Sequence, residues 1–306
     1  MVELKGLFCA LVTPFNDDQS LDEDGYRTLI NHAVEDGIQG IVSAGCTGEP
    51  WSLSNDERGR LFKAAVDEAA GRIPVVGGTA GVSAREAIER VRLAEAAGCD
   101  AIMVQPPWYA LPGMEEVYEY YRDIIDATEL PIMLYNVPRR TGLSLTVDVV
   151  SRLADDPQVV ALKESSKDWV LLSEMIRRCK DRMNILVGYA DLFGLAAFAE
   201  GAVGTVEAVF PPIAGPDYRK FCDAGVSGDL ETAARYQADF AKWHHALWGI
   251  GTFPAPVKAA LNLLGRPGGR PRDPIKPLKP EQVDQVADVL VDMGLLTPER
   301  ELRKSA

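Results

Sequence analysis

Histidine is scarce in this chain of 306 residues: only His32, His244 and His245 occur. None of them ends an apolar run that reads as a strand, which disfavours a hydrolase built on strand-end metal ligands. Cysteine is sparse too. The five (Cys9, Cys46, Cys99, Cys179, Cys222) are odd in number, scattered, and form no CxxC pair. That excludes a disulfide framework and suits a reducing compartment. Positive charge is in deficit, with 32 Lys and Arg against 45 Asp and Glu and a net charge of −13. Nucleic acid and anionic membranes, which want a basic face, are therefore not expected as partners. No apolar run approaches the roughly 20 residues of a membrane span. The N-terminal "MVELKGLFCALVTPF" has too short an apolar stretch and no small-residue cleavage site, so no signal peptide is expected. A cytoplasmic location follows as the expectation.

What is present is a rhythm. Short β-branched runs alternate with longer amphipathic stretches over about the first 210 residues, the pattern of repeated strand–helix units. The runs are "LFCALVTP" (7–14), "IQGIVSAG" (38–45), "IPVVGGTA" (73–80), "DAIMVQPP" (100–107), "LPIMLYNVP" (130–138), "QVVALKES" (158–165), "NILVGYA" (184–190) and "GTVEAV" (204–209). Segments such as "SNDERGRLFKAAVDEAAGR" lie between them, opening on Ser, Asp or Asn and closing near Gly. Eight such units predict an α/β fold, a closed (β/α)8 TIM barrel spanning 1–215. A dinucleotide-binding sheet would need a glycine fingerprint after its first strand, where this chain reads "LVTPFNDDQS". Beyond residue 215 the strands stop. Helical segments, interrupted by the Pro/Gly-rich "GRPGGRPRDPIKPLKP" (265–280), predict a C-terminal helical extension, 216–306, packed on the barrel.

Catalytic groups of such a barrel sit at the carboxyl ends of its strands. Lys163 is the only one of eleven lysines at the end of an apolar strand; the other ten read as solvated. Lys163 either caps the strand and pairs with Glu164 or solvent, or is a Schiff-base nucleophile. The second role needs the neutral amine, which is only about 0.04% of a free lysine at pH 7. Desolvation at a barrel mouth lowers a lysine pKa by roughly 3 units. "GCTGE" (45–49) offers backbone N–H groups and the Thr47 hydroxyl as a cradle for a carboxylate. "YNVPRRTG" (135–142) adds Tyr135, a core tyrosine or a proton shuttle, and two arginines that are surface residues or carboxylate clamps.

These stretches together resemble the dihydrodipicolinate synthase/N-acetylneuraminate lyase family. The likeness runs from "TPF" to "PAPVKAAL", and its specific part is the ordered set GxTGE, YNVPxRTG and strand-terminal KES. The resemblance implies a class I lyase or aldolase that is a homotetramer, uses no metal or redox cofactor, and condenses its lysine with pyruvate or a related 2-oxo acid. It assigns the imine to Lys163 and proton transfer to Tyr135. It gives the substrate carboxylate to Thr47 with the Cys46 and Thr47 amides, and a distal carboxylate to Arg140. It makes Tyr109 the tyrosine lent to a neighbouring subunit, and places Gly188 and Val206 in the pyruvate pocket.

Three departures bear on the substrate. Cys46 replaces the first threonine of the synthases' "GTTGE" and interrupts their tyrosine–threonine–tyrosine relay. Phe253 stands where synthases tend to have Asn. Glu207 occupies a barrel-mouth position where the family often has Ser. Ionised, Glu207 would repel an added carboxylate by about 4 kcal/mol at roughly 4 Å with an effective dielectric of about 20; it would accept hydrogen bonds from a hydroxylated or amino-bearing tail. In "GYADLF", Tyr189 and Asp191 resemble a lyase pattern that reads such a tail. The expected function is a Schiff-base lyase or aldolase. A dehydratase or deaminase of a hydroxylated 2-oxo acid or cyclic imine, a true 4-hydroxy-tetrahydrodipicolinate synthase, and a non-catalytic 2-oxo-acid sensor are the alternatives.

Overall fold

The computed structural model describes residues 2–297. Eight parallel strands close into one barrel in sequence order. They are β1 (Gly6–Ala10), β2 (Gly40–Ser43), β3 (Val75–Gly78), β4 (Ala101–Val104), β5 (Ile132–Asn136), β6 (Val159–Glu164), β7 (Asn184–Val187) and β8 (Gly204–Glu207). β8 returns to pair with β1, from Gly6 opposite Gly204 to Cys9 opposite Glu207. Each strand falls where an apolar run was expected but is shorter, because the residues at the ends of the runs form the loops at the two ends of the barrel.

The runs look continuously apolar because both strand faces are covered. Val42, Val76, Met103, Met133, Ala161, Leu186 and Val206 pack in the barrel interior. Their neighbours Ile41, Val75, Ile102, Leu134, Leu162 and Ile185 pack outward against the helices. Phe8 plugs the interior beside Gly40, where a Cβ would lie 2.1 Å from the Phe8 ring. Only glycine fits there.

The surrounding helices carry the end signals that the sequence displays. Ser54 caps the helix Asn55–Ala69 in a reciprocal capping box with Glu57. Ser83 caps Ala84–Ala97, which ends on left-handed Gly98. The helix Pro211–Ser227 follows β8 and packs on β1 as the last member of the outer ring, with a non-helical break at Ala214. The expected boundary at residue 215 falls inside it. Three further helices, Leu230–Leu247, Ala255–Leu263 and Pro280–Asp292, form the C-terminal extension; residues 298–306 of the expected segment lie outside the described residues. The Pro/Gly-rich connection is pinned to the barrel. Arg266 pairs with Asp36 at 2.7 Å, and Arg272 pairs with Glu57 at 2.8 Å. Among the described residues no helix is long and apolar enough to cross a membrane.

Candidate active site

Strand register decides what Lys163 faces. β5 and β6 align Tyr135 with Lys163 and Asn136 with Glu164. Alternation then sends Lys163 inward with Ala161, and Glu164 outward with Leu162. The two neighbours are therefore not a pair. Glu164 Oε1 instead accepts hydrogen bonds from Asn136 Nδ2 and from the Ser166 N–H, both at 2.9 Å, which ties the "YN" of β5 to the "KES" of β6. Lys163 is 5% exposed, with Nζ 4.4 Å from the Tyr135 ring centroid. Burial lowers its pKa, against the pull of Glu207, Cys46 and Cys9. Burial likewise holds the Tyr135 phenol well above its ordinary value, helped by Cys46 and Tyr189 and opposed by Arg140 and Ser165.

The Cys46–Gly48 turn after β2 stands beside this pair. Gly48 N–H closes it on the Gly45 carbonyl at 2.8 Å, and the Thr13 hydroxyl donates to the Gly48 carbonyl at 2.7 Å. Glu49 follows in a left-handed conformation, φ 55. Its Oε1 meets Lys258 Nζ at 2.5 Å and its Oε2 accepts from the Arg272 N–H at 2.9 Å. Lys258 also donates to the carbonyls of Thr13 and Arg270, each at 2.7 Å, and lies over the Phe15 ring. "TPF", "GCTGE" and "PAPVK" are thus one knot, and its product is a rigid turn.

Lys258 corrects the expectation that the other ten lysines are solvated: it is 1% exposed. Its pKa falls to about 8, because the cost of burial exceeds the attraction of Glu49. Removing one partner of a buried pair strands the other. Lys258→Met should therefore lower stability by about 3 kcal/mol, read as a fall in the urea midpoint at unchanged slope, and Lys258→Met/Glu49→Gln should recover part of that. A single variant as stable as the parent would show that Glu49 needs no counter-charge.

The remaining strand ends complete a cleft. Gly188, after β7, donates to the Glu164 carbonyl at 2.7 Å, and a Cβ there would lie 1.7 Å from Ser165 Oγ. Only glycine lets β7 approach β6 so closely. Lys163, Tyr135, Thr47, Cys46, Arg140, Gly188, Val206 and Glu207 all line this cleft, whose empty space, open mouth included, is ≈ 570 Å³. Arg140 also lies over the Phe253 ring, 5.9 Å from its centroid. A larger opening next to it, lined by Trp51, Arg58, Glu86, Arg90 and Trp108, shares Cys46 and Arg140. It contains neither Lys163 nor Tyr135, so the chemistry belongs to the smaller cleft.

Tyr109, expected to serve a neighbouring subunit, is 92% exposed on the loop after β4 and does not line the cleft of its own chain. Two expectations change. Glu207 is 5% exposed, with Oε2 accepting from the Ala208 N–H at 3.0 Å. Burial, reinforced by the Asp191 carboxyl, holds its pKa well above the carboxylate range. A raised pKa weakens the repulsion that an ionised Glu207 would exert on an incoming carboxylate. Asp191 is 1% exposed and stands outside the cleft wall, so it does not touch a substrate tail directly. It meets His244 Nδ1 instead.

His244, Trp248 and Arg139 also line the cleft; Arg139 was one of the carboxylate-clamp candidates, whereas His244 and Trp248 were not anticipated there. His244 and Trp248 come from the end of the helix Leu230–Leu247, not from a strand. No group of three or more His, Cys, Asp or Glu side chains is arranged to hold a metal ion among the described residues.

A sequence model of the dihydrodipicolinate synthetase family matches residues 3–293. The chain is 37% identical over 292 residues to the 4-hydroxy-tetrahydrodipicolinate synthase of Phenylobacterium zucineum, covering 95% of this chain and 98% of that one. Its fold is similar to that of the crystal structure of dihydrodipicolinate synthase from Thermotoga maritima. There the TM-score is 0.92 and the identity 30%, over 96% of this chain and 100% of the other. A chloride-inhibited dihydrodipicolinate synthase from Acinetobacter baumannii, solved in complex with pyruvate, gives a TM-score of 0.90 at 32% identity, again over 96% and 100%.

Proposed function

This chain belongs to the dihydrodipicolinate synthetase family and is a class I lyase of it; from that premise we propose that Lys163 forms an imine with pyruvate or a related 2-oxo acid. The observation that carries the reading is the cross-strand pair of Lys163 and Tyr135 at the inner wall of one cleft, facing the Cys46–Thr47 turn. The lowered pKa of Lys163 supplies the neutral amine that attacks the 2-oxo carbon. The amides of the turn and the Thr47 hydroxyl hold the carboxylate, and Arg140 waits at the rim for a further anionic group. Tyr135 passes the protons that turn carbinolamine into imine. The imine is itself the electron sink for a carbanion at C3, so the reaction uses no metal or redox cofactor.

A homotetramer in the cytoplasm is part of this proposal. In it Tyr109 of the partner subunit would complete the proton relay; exposed Trp51, Tyr109 and Leu111 suit burial against a second copy, and the five free cysteines suit a reducing compartment.

Borohydride reduction with pyruvate tests the imine. The parent protein should gain one pyruvyl unit, mapped to Lys163. No adduct at saturating pyruvate would leave only a 2-oxo-acid binder.

A second reading is a true synthase joining pyruvate to aspartate semialdehyde, favoured by the name of the 37%-identical relative. Cys46 opposes it. A thiol is a poor hydrogen-bond partner at the step where the synthase relay needs a hydroxyl, and Phe253 sets an apolar ring beside Arg140. Condensation with aspartate semialdehyde should therefore be slow. Steady-state kinetics giving kcat/KM above about 10⁴ M⁻¹s⁻¹, the low end of ordinary enzyme efficiency, would establish the synthase.

A further inference from the structure

A buried imidazole–carboxylate pair stands beside the cleft, its imidazole lining the same space as the Cys46–Thr47 turn, and no step above uses it. His244 Nδ1 meets Asp191 Oδ2, with the residues 3% and 1% exposed. Asp191 is in the first turn of the helix Ala190–Glu200, directly after β7, and His244 is in the last turn of the helix Leu230–Leu247. The His244 ring stacks on Trp248, with centroids 4.9 Å apart and planes at 10°, and meets the edge of Tyr189 at 6.1 Å. Backbone, stack and carboxylate together fix the ring. The same imidazole lines the cleft that holds Lys163.

Nδ1 is committed to Asp191, which leaves Nε2 as the nitrogen that can exchange a proton with a bound molecule. A helix–helix staple alone would not need a titratable ring on the wall of the reaction cleft.

We infer that His244, oriented by Asp191, is the acid–base residue for the C4 oxygen of a 4-hydroxy-2-oxo acid held as the Lys163 imine. The inference rests on the imine reading. In the cleavage direction the C4 hydroxyl gives its proton to Nε2, and the O–H pair becomes the carbonyl π bond of the departing aldehyde. The C3–C4 bond breaks, and its electron pair forms C2=C3 as the imine π pair moves onto nitrogen. The resulting enamine is protonated at C3, water releases the 2-oxo acid, and His244 returns its proton to solvent. Condensation is the reverse. Asp191 is a positioning residue, acting only through the ring.

Several titratable groups surround His244. Asp191 faces Nδ1. Lys167 Nζ is 4.3 Å from the Tyr189 centroid and 4.7 Å from that of Trp248, and Arg139 lies 4.9 Å over Trp248. His245 adjoins on the same helix, with ring centroids 5.9 Å apart. Glu207 and Tyr218, from β8 and the helix after it, lie near Asp191, and burial raises the pKa of both. As a base His244 must be neutral, so cleavage should fail as pH falls through its ionisation.

The test uses four racemic 4-hydroxy-2-oxo acids of five to seven carbons, with pyruvate release followed by coupled reduction. His244→Gln should lose about 10²–10³-fold in kcat/KM and lose the acid limb of the parent's pH profile. It should still trap pyruvate with borohydride, because imine formation does not involve C4. Asp191→Asn should retain the limb with its midpoint displaced, and melting curves identify any variant that fails to fold. If that one fails, His244→Asn supplies the second reading of the limb. A His244→Gln protein that cleaves within twofold of the parent, or keeps the acid limb, overturns the inference, as does a parent that cleaves none of the four. A parent that fails to trap pyruvate overturns the imine itself, which separates the two failures.

Discussion

Borohydride and pyruvate should leave the mass of Lys163→Arg unchanged, while the parent gains one pyruvyl unit and Lys167→Arg gains it as well. Lys167 is the rival amine. It lies on the loop after β6 with burial lowering its pKa too, but its Nζ is stacked over Tyr189 and Trp248. Among the described lysines, Lys163 alone lines the cleft with Tyr135 and the Cys46–Thr47 turn. Arginine keeps the positive charge yet offers no neutral amine at any working pH, so the substitution removes the nucleophile without emptying the site. Turnover should fall to background. The effect is total because a free lysine is neutral only to about 0.04% at pH 7, and among the described residues no second buried amine faces the cleft: Lys258, the other fully buried lysine among them, is spent on Glu49. In the parent, trapping should quicken as pH rises toward the depressed pKa of Lys163 and then level off, since only the neutral form attacks. An adduct on Lys163→Arg, or one mapped to Lys167 in the parent, would assign the imine elsewhere.

The barrel and the cleft's strand-end residues were legible because both are written locally. An apolar run bounded by glycine, proline or a cap announces a strand, and the barrel rule converts a strand end into a site. That reasoning located Lys163, Tyr135 and the Cys46–Thr47 turn. It could not say which way Lys163 points: in "VVALKE" both faces are apolar, so no alternation is visible until the pairing of Tyr135 with Lys163 fixes it. Lys258 was misread for a different reason. Its partner, Glu49, lies more than two hundred residues earlier in the chain, and nothing in "PAPVKAAL" marks that lysine as buried. Glu207 was placed at the mouth, but its charge state depends on how completely neighbours exclude water, which a strand pattern does not encode. His244 carries no strand-end signal. It reaches the cleft from a helix beyond the barrel. Asp191, read as a tail contact, turns toward that helix instead.

Tyr135→Phe should cost about 10³-fold in kcat, within the 10²–10⁴ range for a positioned acid–base group, or about 4 kcal/mol of transition-state stabilisation. The substitution removes one oxygen from a residue 4% exposed in the barrel interior and keeps the ring that packs beside Lys163. The fold should therefore tolerate it, with a melting temperature within a few degrees of the parent. KM should change little, because the carboxylate contacts come from the turn after β2. Borohydride trapping should still occur, but slowly, since carbinolamine dehydration loses its proton carrier while the amine survives. The pH dependence has a definite sign. Burial holds the phenol well above its ordinary value of 10.0, so it stays protonated across the working range and serves as a donor that passes protons on, never as a standing phenolate. A descending limb of the parent's rate below pH 10 therefore cannot belong to Tyr135, and should persist in Tyr135→Phe. Turnover of that variant within about twofold of the parent would make Tyr135 a packing residue. Loss of a limb below pH 10 would mean that the phenol ionises far more easily than its buried setting allows.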